Sequence, residues 1–155
     1  MHDHRSGAAA DPPGVPGCPF CEIVAELRPA HVVLDDDVAV AFLDRSPLFH
    51  GHTLVVPRRH VGTLADLPPE EVGPFFERVR AVVRAIPGAF GAEGTFVANN
   101  NVVSQSVAHL HVHVVPRCRG DGLRGFFWPR RRYGDGEAAA CAARLAAALA
   151  SDRAD

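Results

Sequence analysis

Three histidines alternate strictly with apolar residues in the stretch His109-Leu110-His111-Val112-His113-Val114-Val115. Successive side chains of an extended chain point to opposite faces. The alternation therefore puts His109, His111 and His113 on one face of a strand spanning Ala108 to Val115, and Leu110, Val112 and Val114 on the other. The apolar face packs against a core helix, and the imidazole face lines a surface or cleft. One histidine in a strand is usually structural, but three in register opposite a purely apolar face are not explained that way. Nor do all three share one ion. The outer two stand about 13 Å apart on a regular strand, whereas metal ligands converge to about 2.1 Å from the metal. A division of labour follows, with one outer histidine structural, the middle one chemical and the other outer one a polar support. Neutral histidine near pH 7 has a free nitrogen lone pair and suits attack on phosphorus, giving a phosphorus–nitrogen bond that water later breaks. The other ring nitrogen must then hold the proton, and a backbone carbonyl acceptor would fix that tautomer.

The rest of the chain supplies a setting for this strand. Phe20 to Leu27 suits a short helix stopped before Pro29. His31 to Leu34 and Val38 to Leu43, joined by three aspartates, read as a hairpin, and Thr53 to Val56 as a third strand ended by Pro57. Val72, Phe75, Phe76, Val79, Val82, Val83 and Ile86 recur at helical spacing and predict a helix over 70–86, with Pro74 kinking or delaying it. Thr95 to Ala98 is a further strand, and Ala138 to Ala150 a terminal helix on alanine content. The class is α+β: one antiparallel five-stranded sheet with helices on one side. The first seventeen residues, with Pro12, Pro13, Gly14, Pro16 and Gly17, read as a flexible arm without the apolar core of a secretory signal. Residues 18–155 form one domain, with a C-terminal extension from about residue 117. A chain of 155 residues with 47% apolar and 22% charged residues fits one ordinary globular domain. Its net charge of −2 makes nucleic acid an unlikely partner, and no apolar run is long enough for a membrane span. The expected location is cytoplasmic.

Four cysteines do not make a disulfide framework in a chain this long. Cys18-Pro19-Phe20-Cys21 is compatible with a redox pair, with two unrelated thiols, or with half of a tetrahedral zinc site. The redox pair normally follows a strand, and here only a Pro/Gly-rich arm precedes it. Zinc is the better reading. Cys118 and Cys141 carry no partner pattern, and His31 and His50 read as solvated or core-edge residues.

The motif His109-Leu-His111-Val-His113-Val-Val resembles that of the histidine triad (HIT) family. The resemblance extends over about residues 18–117, through Cys18-Pro-Phe-Cys21-Glu-Ile-Val, Val40-Ala-Phe-Leu-Asp44, and Gly51-His-Thr-Leu-Val-Val-Pro57 through His60. It implies a homodimer, a purine nucleotide held over the sheet, and attack on its α-phosphate by His111. By the same resemblance His113 contacts phosphate, Gln105 and Ser106 bind phosphate or assist the leaving group, and Asp44 accepts hydrogen bonds from the ribose. It nominates His60 and His109 to complete a structural zinc site with Cys18 and Cys21, and leaves the role of His52 open. The loop Asn99-Asn100-Asn101-Val102-Val103-Ser104 departs from the family pattern because it lacks glycine; Asn99 is its candidate nucleotide contact. After the triad, Phe126, Phe127 and Trp128 read as interface packing amid solvated arginines, running toward a partner's site as in the family.

The function expected is a nucleotidyl hydrolase or transferase acting on nucleoside phosphoramidates or dinucleoside polyphosphates through a His111 adduct. A zinc-stabilised nucleotide-binding scaffold with little turnover is the alternative. A metal-dependent hydrolase is a third reading, weakened by the absence of an acidic residue within the triad.

Overall fold

The computed structural model describes residues 14–123 and 130–152. They belong to two units, one ending at Asp121 and one beginning at Gly122. The second contains a single described helix, α3 (Glu137–Asp152), where alanine content predicts it. Phe126, Phe127 and Trp128 lie outside the described residues.

The first unit runs α1 (Pro19–Val24), β1 (Val32–Asp35), β2 (Ala39–Leu43), β3 (Thr53–Pro57), a 3-10 turn over Leu64–Asp66, α2 (Pro69–Phe90), β4 (Gly94–Ala98) and β5 (Val112–Arg117). The five strands form one sheet in the order β1-β2-β3-β5-β4, with every neighbouring pair antiparallel. Along β2 the residues alternate between two cores. Ala39 and Ala41 pack with Phe75, Val79, Val82 and Ile86 of α2, together with Leu110, Val112 and Val114. Val40 and Phe42 pack with Phe20, Cys21 and Val24 of α1 and with Cys18, its N-cap. The helices therefore cover both faces, not one side as the sequence suggested. The short first helix carries four apolar or thiol side chains that need a surface, and the α2 face is already filled.

Helix α2 starts at Pro69 and continues past both Pro74 and Pro87 to Phe90. Pro74 does not delay it, and the helix outlasts the expected end by four residues. It stops where Gly91 turns left-handed (φ 64°) and donates its N–H to the Pro87 carbonyl.

The fifth strand begins at Val112, so His109 and His111 precede it, contrary to the strand expected from Ala108. The pairing explains why. Val55 lies opposite Val112, so the next antiparallel step would set Pro57 opposite Leu110. Proline has no N–H to offer, and the Pro57 carbonyl is occupied by the His109 ring at 3.0 Å. Leu110 instead donates its N–H to the Val61 carbonyl at 2.7 Å. The face assignment survives the shift, because Leu110, Val112 and Val114 all lie in the α2 core.

Gly51 holds the β2–β3 loop against the end of α2. At φ 96° a side chain is strained, and a Cβ there would stand 2.5 Å from the Phe90 ring. Gly91 is also left-handed but faces open space. Gly51→Ala is expected to lose about 2–4 kcal/mol from backbone strain plus overpacking, and Gly91→Ala about 1–2 kcal/mol from strain alone. Urea unfolding of the two variants checks this, and equal losses would contradict the packing role of Gly51.

Candidate active site and metal cluster

The extended segment before β5 brings two groups of side chains together. The first consists of Cys18, Cys21, His60 and His109, whose ligand atoms all lie within 4.8 Å of one another. The Cys18 and Cys21 sulfurs each stand 3.6 Å from His109 Nδ1, and Cys21 Sγ stands 3.2 Å from His60 Nδ1. Ligands at zinc–sulfur and zinc–nitrogen bond lengths on a tetrahedron would be about 3.6 Å apart, so the donors fit a small divalent ion with little adjustment. Their chemistry fits as well. His109 Nε2–H donates to the Pro57 carbonyl, which leaves the Nδ1 lone pair facing the thiols. Burial holds the His109 pKa down to about 4, with the nearby His60 and His111 rings adding to the effect, so the ring is neutral as a ligand must be. Burial also pushes the Cys21 thiol up, and a bound cation would reverse that by favouring the thiolate. The turn at residues 14–17 closes over the cluster: Val15 N–H points to Cys21 Sγ at 3.4 Å, and the Val15 carbonyl accepts from Cys18 N–H. Cys118 and Cys141 are free thiols.

The second group surrounds His111. Its Nδ1–H donates to the His109 carbonyl at 2.7 Å, which places the lone pair on Nε2. Among the described residues no hydrogen bond is made to that nitrogen. Phe20 stands edge-on to the ring with centroids 5.1 Å apart, and His113 does so at 5.0 Å. The Asn99 side-chain N–H donates to the His111 carbonyl at 2.9 Å, while its Oδ1 is buried with no partner.

The proton positions on the neighbouring imidazoles follow from one backbone amide. Leu48 N–H donates to His52 Nδ1 at 3.1 Å, so the proton of neutral His52 sits on Nε2. That N–H donates to His113 Nδ1 at 2.9 Å, so His113 carries its own proton on Nε2. Asp44 Oδ2 lies 3.7 Å from His52 Nε2, and Asp44 Oδ1 accepts from Ser46 N–H. Asp44, His52 and His113 are close enough for a metal on distance alone. A metal on His52 Nε2 would move the ring proton to Nδ1, against the Leu48 N–H, so His52 and His113 stand as a hydrogen-bonded pair with the Asp44 carboxylate 3.7 Å from His52. Burial, reinforced by the His111 and His52 rings, holds the His113 pKa down to about 4 against the pull of Asp44, and burial lowers that of His52.

Of the residues singled out from sequence, Cys18, Cys21, His60 and His109 meet in one cluster, and His111, His113, Asp44 and Asn99 meet around the other. Gln105 is tied into the preceding loop: its Nε2 donates to the Gly62 carbonyl at 2.6 Å, and its Oε1 accepts from Val102 N–H at 2.9 Å. Ser106 is exposed beside it. His52 is the residue whose part the sequence left open. Its signal was its place beside Gly51, immediately before β3, which becomes informative once the register pairs Leu54 with His113.

Fold and site together define a small α+β protein in which a histidine with an unpaired Nε2 among the described residues stands beside a Cys2His2 cluster. The chain belongs to the HIT family: the HIT domain model matches residues 26–120. It is 32% identical over 114 residues to an adenosine 5'-monophosphoramidase of Schizosaccharomyces pombe, covering 72% of this chain and 83% of that one. It is 34% identical over 108 residues to an adenylylsulfatase of Arabidopsis thaliana, covering 68% of this chain and 55% of that one. Among solved structures it resembles a zinc-bound histidine triad family protein from Mycobacterium smegmatis, with TM-score 0.66 and 37% identity, covering 90% of this chain and 98% of that one. Among the described residues no helix is long and apolar enough to cross a membrane.

The depressed histidine pKa values have a consequence for stability. An unfolded imidazole takes up a proton near pH 6.5, whereas folded His113 does so only at about 4. Between these values the unfolded chain binds more protons, so stability falls as the pH drops through the window and is flat above about pH 7. The urea midpoint is expected to be lower at pH 5 than at pH 7, with a smaller drop in His113→Gln. An unchanged midpoint in the wild-type chain would contradict the buried neutral histidines.

Proposed function

We propose that this chain is a nucleotide hydrolase or transferase that removes a substituent from the α-phosphate of a purine nucleotide, with His111 as the nucleophile. The observation that carries the reading is the bond from His111 Nδ1–H to the His109 carbonyl, which reserves the Nε2 lone pair for attack. A bond forms between Nε2 and phosphorus while the bond to the leaving group breaks; the leaving group departs with that electron pair and takes a proton from solvent. Water then attacks phosphorus and returns a proton to solvent, and the phosphorus–nitrogen bond returns its electron pair to His111. The relatives named for phosphoramidase and adenylylsulfatase activity support a substrate with a substituted nucleoside monophosphate. Nucleoside phosphoramidates and dinucleoside polyphosphates are the classes to assay.

The surrounding residues suit the same chemistry. His113 presents Nε2–H to a phosphate oxygen, its tautomer fixed through His52 and Leu48. The exposed Ser106 hydroxyl is available to the leaving group. Half-buried Asp44 suits the ribose hydroxyls, and the unpartnered Asn99 Oδ1 suits a donor on the ligand. Gln105 spends its amide on the loop, so its contribution to phosphate binding is the shape of that loop. Cys18, Cys21, His60 and His109 hold one structural zinc per chain, a reading supported by the tetrahedral spacing of the donors and by the zinc-bound relative. The working form is a cytoplasmic homodimer, with no membrane and no nucleic-acid partner. A nucleotide-binding scaffold with little turnover is the second reading. It is favoured by the loop, where Val102 and Ser104 hold positive φ and Val102 and Val103 are 75% and 78% exposed.

His111→Ala is expected to abolish turnover and the covalent adduct while keeping nucleotide affinity. His113→Ala is expected to slow the reaction by about 10²–10³-fold, the usual loss for one charge-stabilising donor. Single-turnover kinetics with intact-mass detection of the adduct check both, and wild-type turnover by His111→Ala would defeat the mechanism. Elemental analysis of protein purified without added metal is expected to find about one zinc per chain; a trace amount would defeat the metal assignment.

A further inference from the structure

The metal cluster and the nucleophile share a residue. The His109 ring faces Cys18 and Cys21 through Nδ1, while its own main-chain carbonyl accepts the His111 Nδ1–H. Two more supports of His111 lead back to the same four ligands. Phe20, which stands edge-on to both the His109 and His111 rings, lies between Cys18 and Cys21 in a helix of six residues. A helix that short does not hold its shape unaided. The Val61 carbonyl, which anchors the segment through Leu110 N–H, belongs to the residue immediately after His60. The sheet gives no help at this point, because the ladder begins only at Val112. Two supports have no tie to the cluster: Asn99, which holds the His111 carbonyl rather than the ring, and the His113 ring, which packs edge-on without fixing a proton.

We infer that filling the Cys18–Cys21–His60–His109 cluster is what holds His111 in its reactive tautomer and place, so that reactivity is conditional on metal occupancy. The inference rests on the zinc reading above and extends it. Cys18, Cys21 and His60 are then positioning residues: they touch neither substrate nor His111, and act through the His109 carbonyl, the Val61 carbonyl and the Phe20 ring. With the cluster empty, the His111 ring keeps its main-chain anchor but loses its fixed acceptor and one wall. It then exchanges its proton between both nitrogens, and the fraction with an aimed Nε2 lone pair falls.

The experiment uses the full chain, uniformly labelled with nitrogen-15, at one fixed neutral pH. Long-range proton–nitrogen spectra of the histidine rings are recorded with one equivalent of zinc and again after removal of the metal by chelation. With zinc, His111 is expected to show a single Nδ1–H tautomer. Without it, the two ring nitrogens of His111 are expected to move toward a common averaged shift. The rate of adduct formation should fall about a hundredfold, the size of effect that small misplacements produce, with adenosine monophosphate affinity changed less than about threefold. His60→Cys, which replaces one ligand by another, should restore the tautomer signal and the rate when loaded with zinc, whereas His60→Ala should not. Should the metal-free chain unfold, His60→Ala, which keeps three of the four ligands, is the comparison, and a folded His60→Ala chain is expected to show the averaged His111 shifts. A folded metal-free chain or a folded His60→Ala chain with the zinc form's His111 signal and rate would overturn the inference while leaving the zinc site standing. A chain that binds no metal would remove the zinc reading and the inference together. A metal-dependent tautomer without any adduct would remove the phosphoryl-transfer reading and with it the reactivity half of the inference, and keep the positioning of His111 by the cluster.

Discussion

The hydrogen bond from His111 Nδ1–H to the His109 carbonyl exists only because that carbonyl is not consumed by the sheet. In a continuous ladder the main-chain groups of Leu110 would pair with β3 and those of His109 and His111 with β4. Pro57 ends the first option, since it cannot donate and its carbonyl is given to the His109 ring, and β4 ends at Ala98, opposite His113, before it could reach His109. The segment just before β5 is therefore extended enough to keep histidines and aliphatic residues on separate faces, yet free enough to spend one carbonyl on an imidazole. The exit of β3, the start of β5, the Cys2His2 cluster and the His111 ring are all arranged around this gap in the pairing.

A second arrangement shares its logic. From the Leu48 amide through His52 to His113, each ring accepts at Nδ1 and carries its proton on Nε2, and the direction of the whole chain is set by one backbone N–H that cannot reverse. His111 is set with the opposite polarity, donating at Nδ1 and open at Nε2. Adjacent imidazoles on one segment thus offer a ligand site, a lone pair and an N–H in the order 109, 111, 113. Burial keeps His52, His109 and His113 uncharged at neutral pH, which lets so many imidazoles stand together without mutual repulsion.

Much of this was legible beforehand, because it rests on local periodicity. The alternation at 109–114 sorted the two faces correctly, and the recurrence of Phe75, Val79, Val82 and Ile86 marked the core side of α2. The Cys-x-x-Cys pair and the two distant histidines do meet, although the choice of those histidines came from family likeness and not from spacing. What escaped depends on relations between segments. The late start of β5 follows from its register against Pro57, and the second covered face from how much of the sheet α2 leaves bare. The part played by His52 depends on a cross-strand neighbour that no single stretch reveals. The glycine-free loop was visible as an oddity, but not that Val102 and Ser104 would take the left-handed backbone themselves, with Gln105 and Asn101 tying the loop to Gly62 and Leu64.

The placement of the thiols in α1 also bears on the order in which the chain can assemble. Cys18 meets His109 across a separation of 91 residues, and Cys21 meets His60 across 39. The hairpins can close while the chain is still short, since loop closure over a few residues is entropically cheap. The six-residue helix made first in synthesis has nothing to dock on until β2 and β3 are paired, and no complete ligand set until residue 109 has been added. The beginning of this domain can therefore cover its thiols against β2 and β3 well before residue 109 arrives to complete the ligand set.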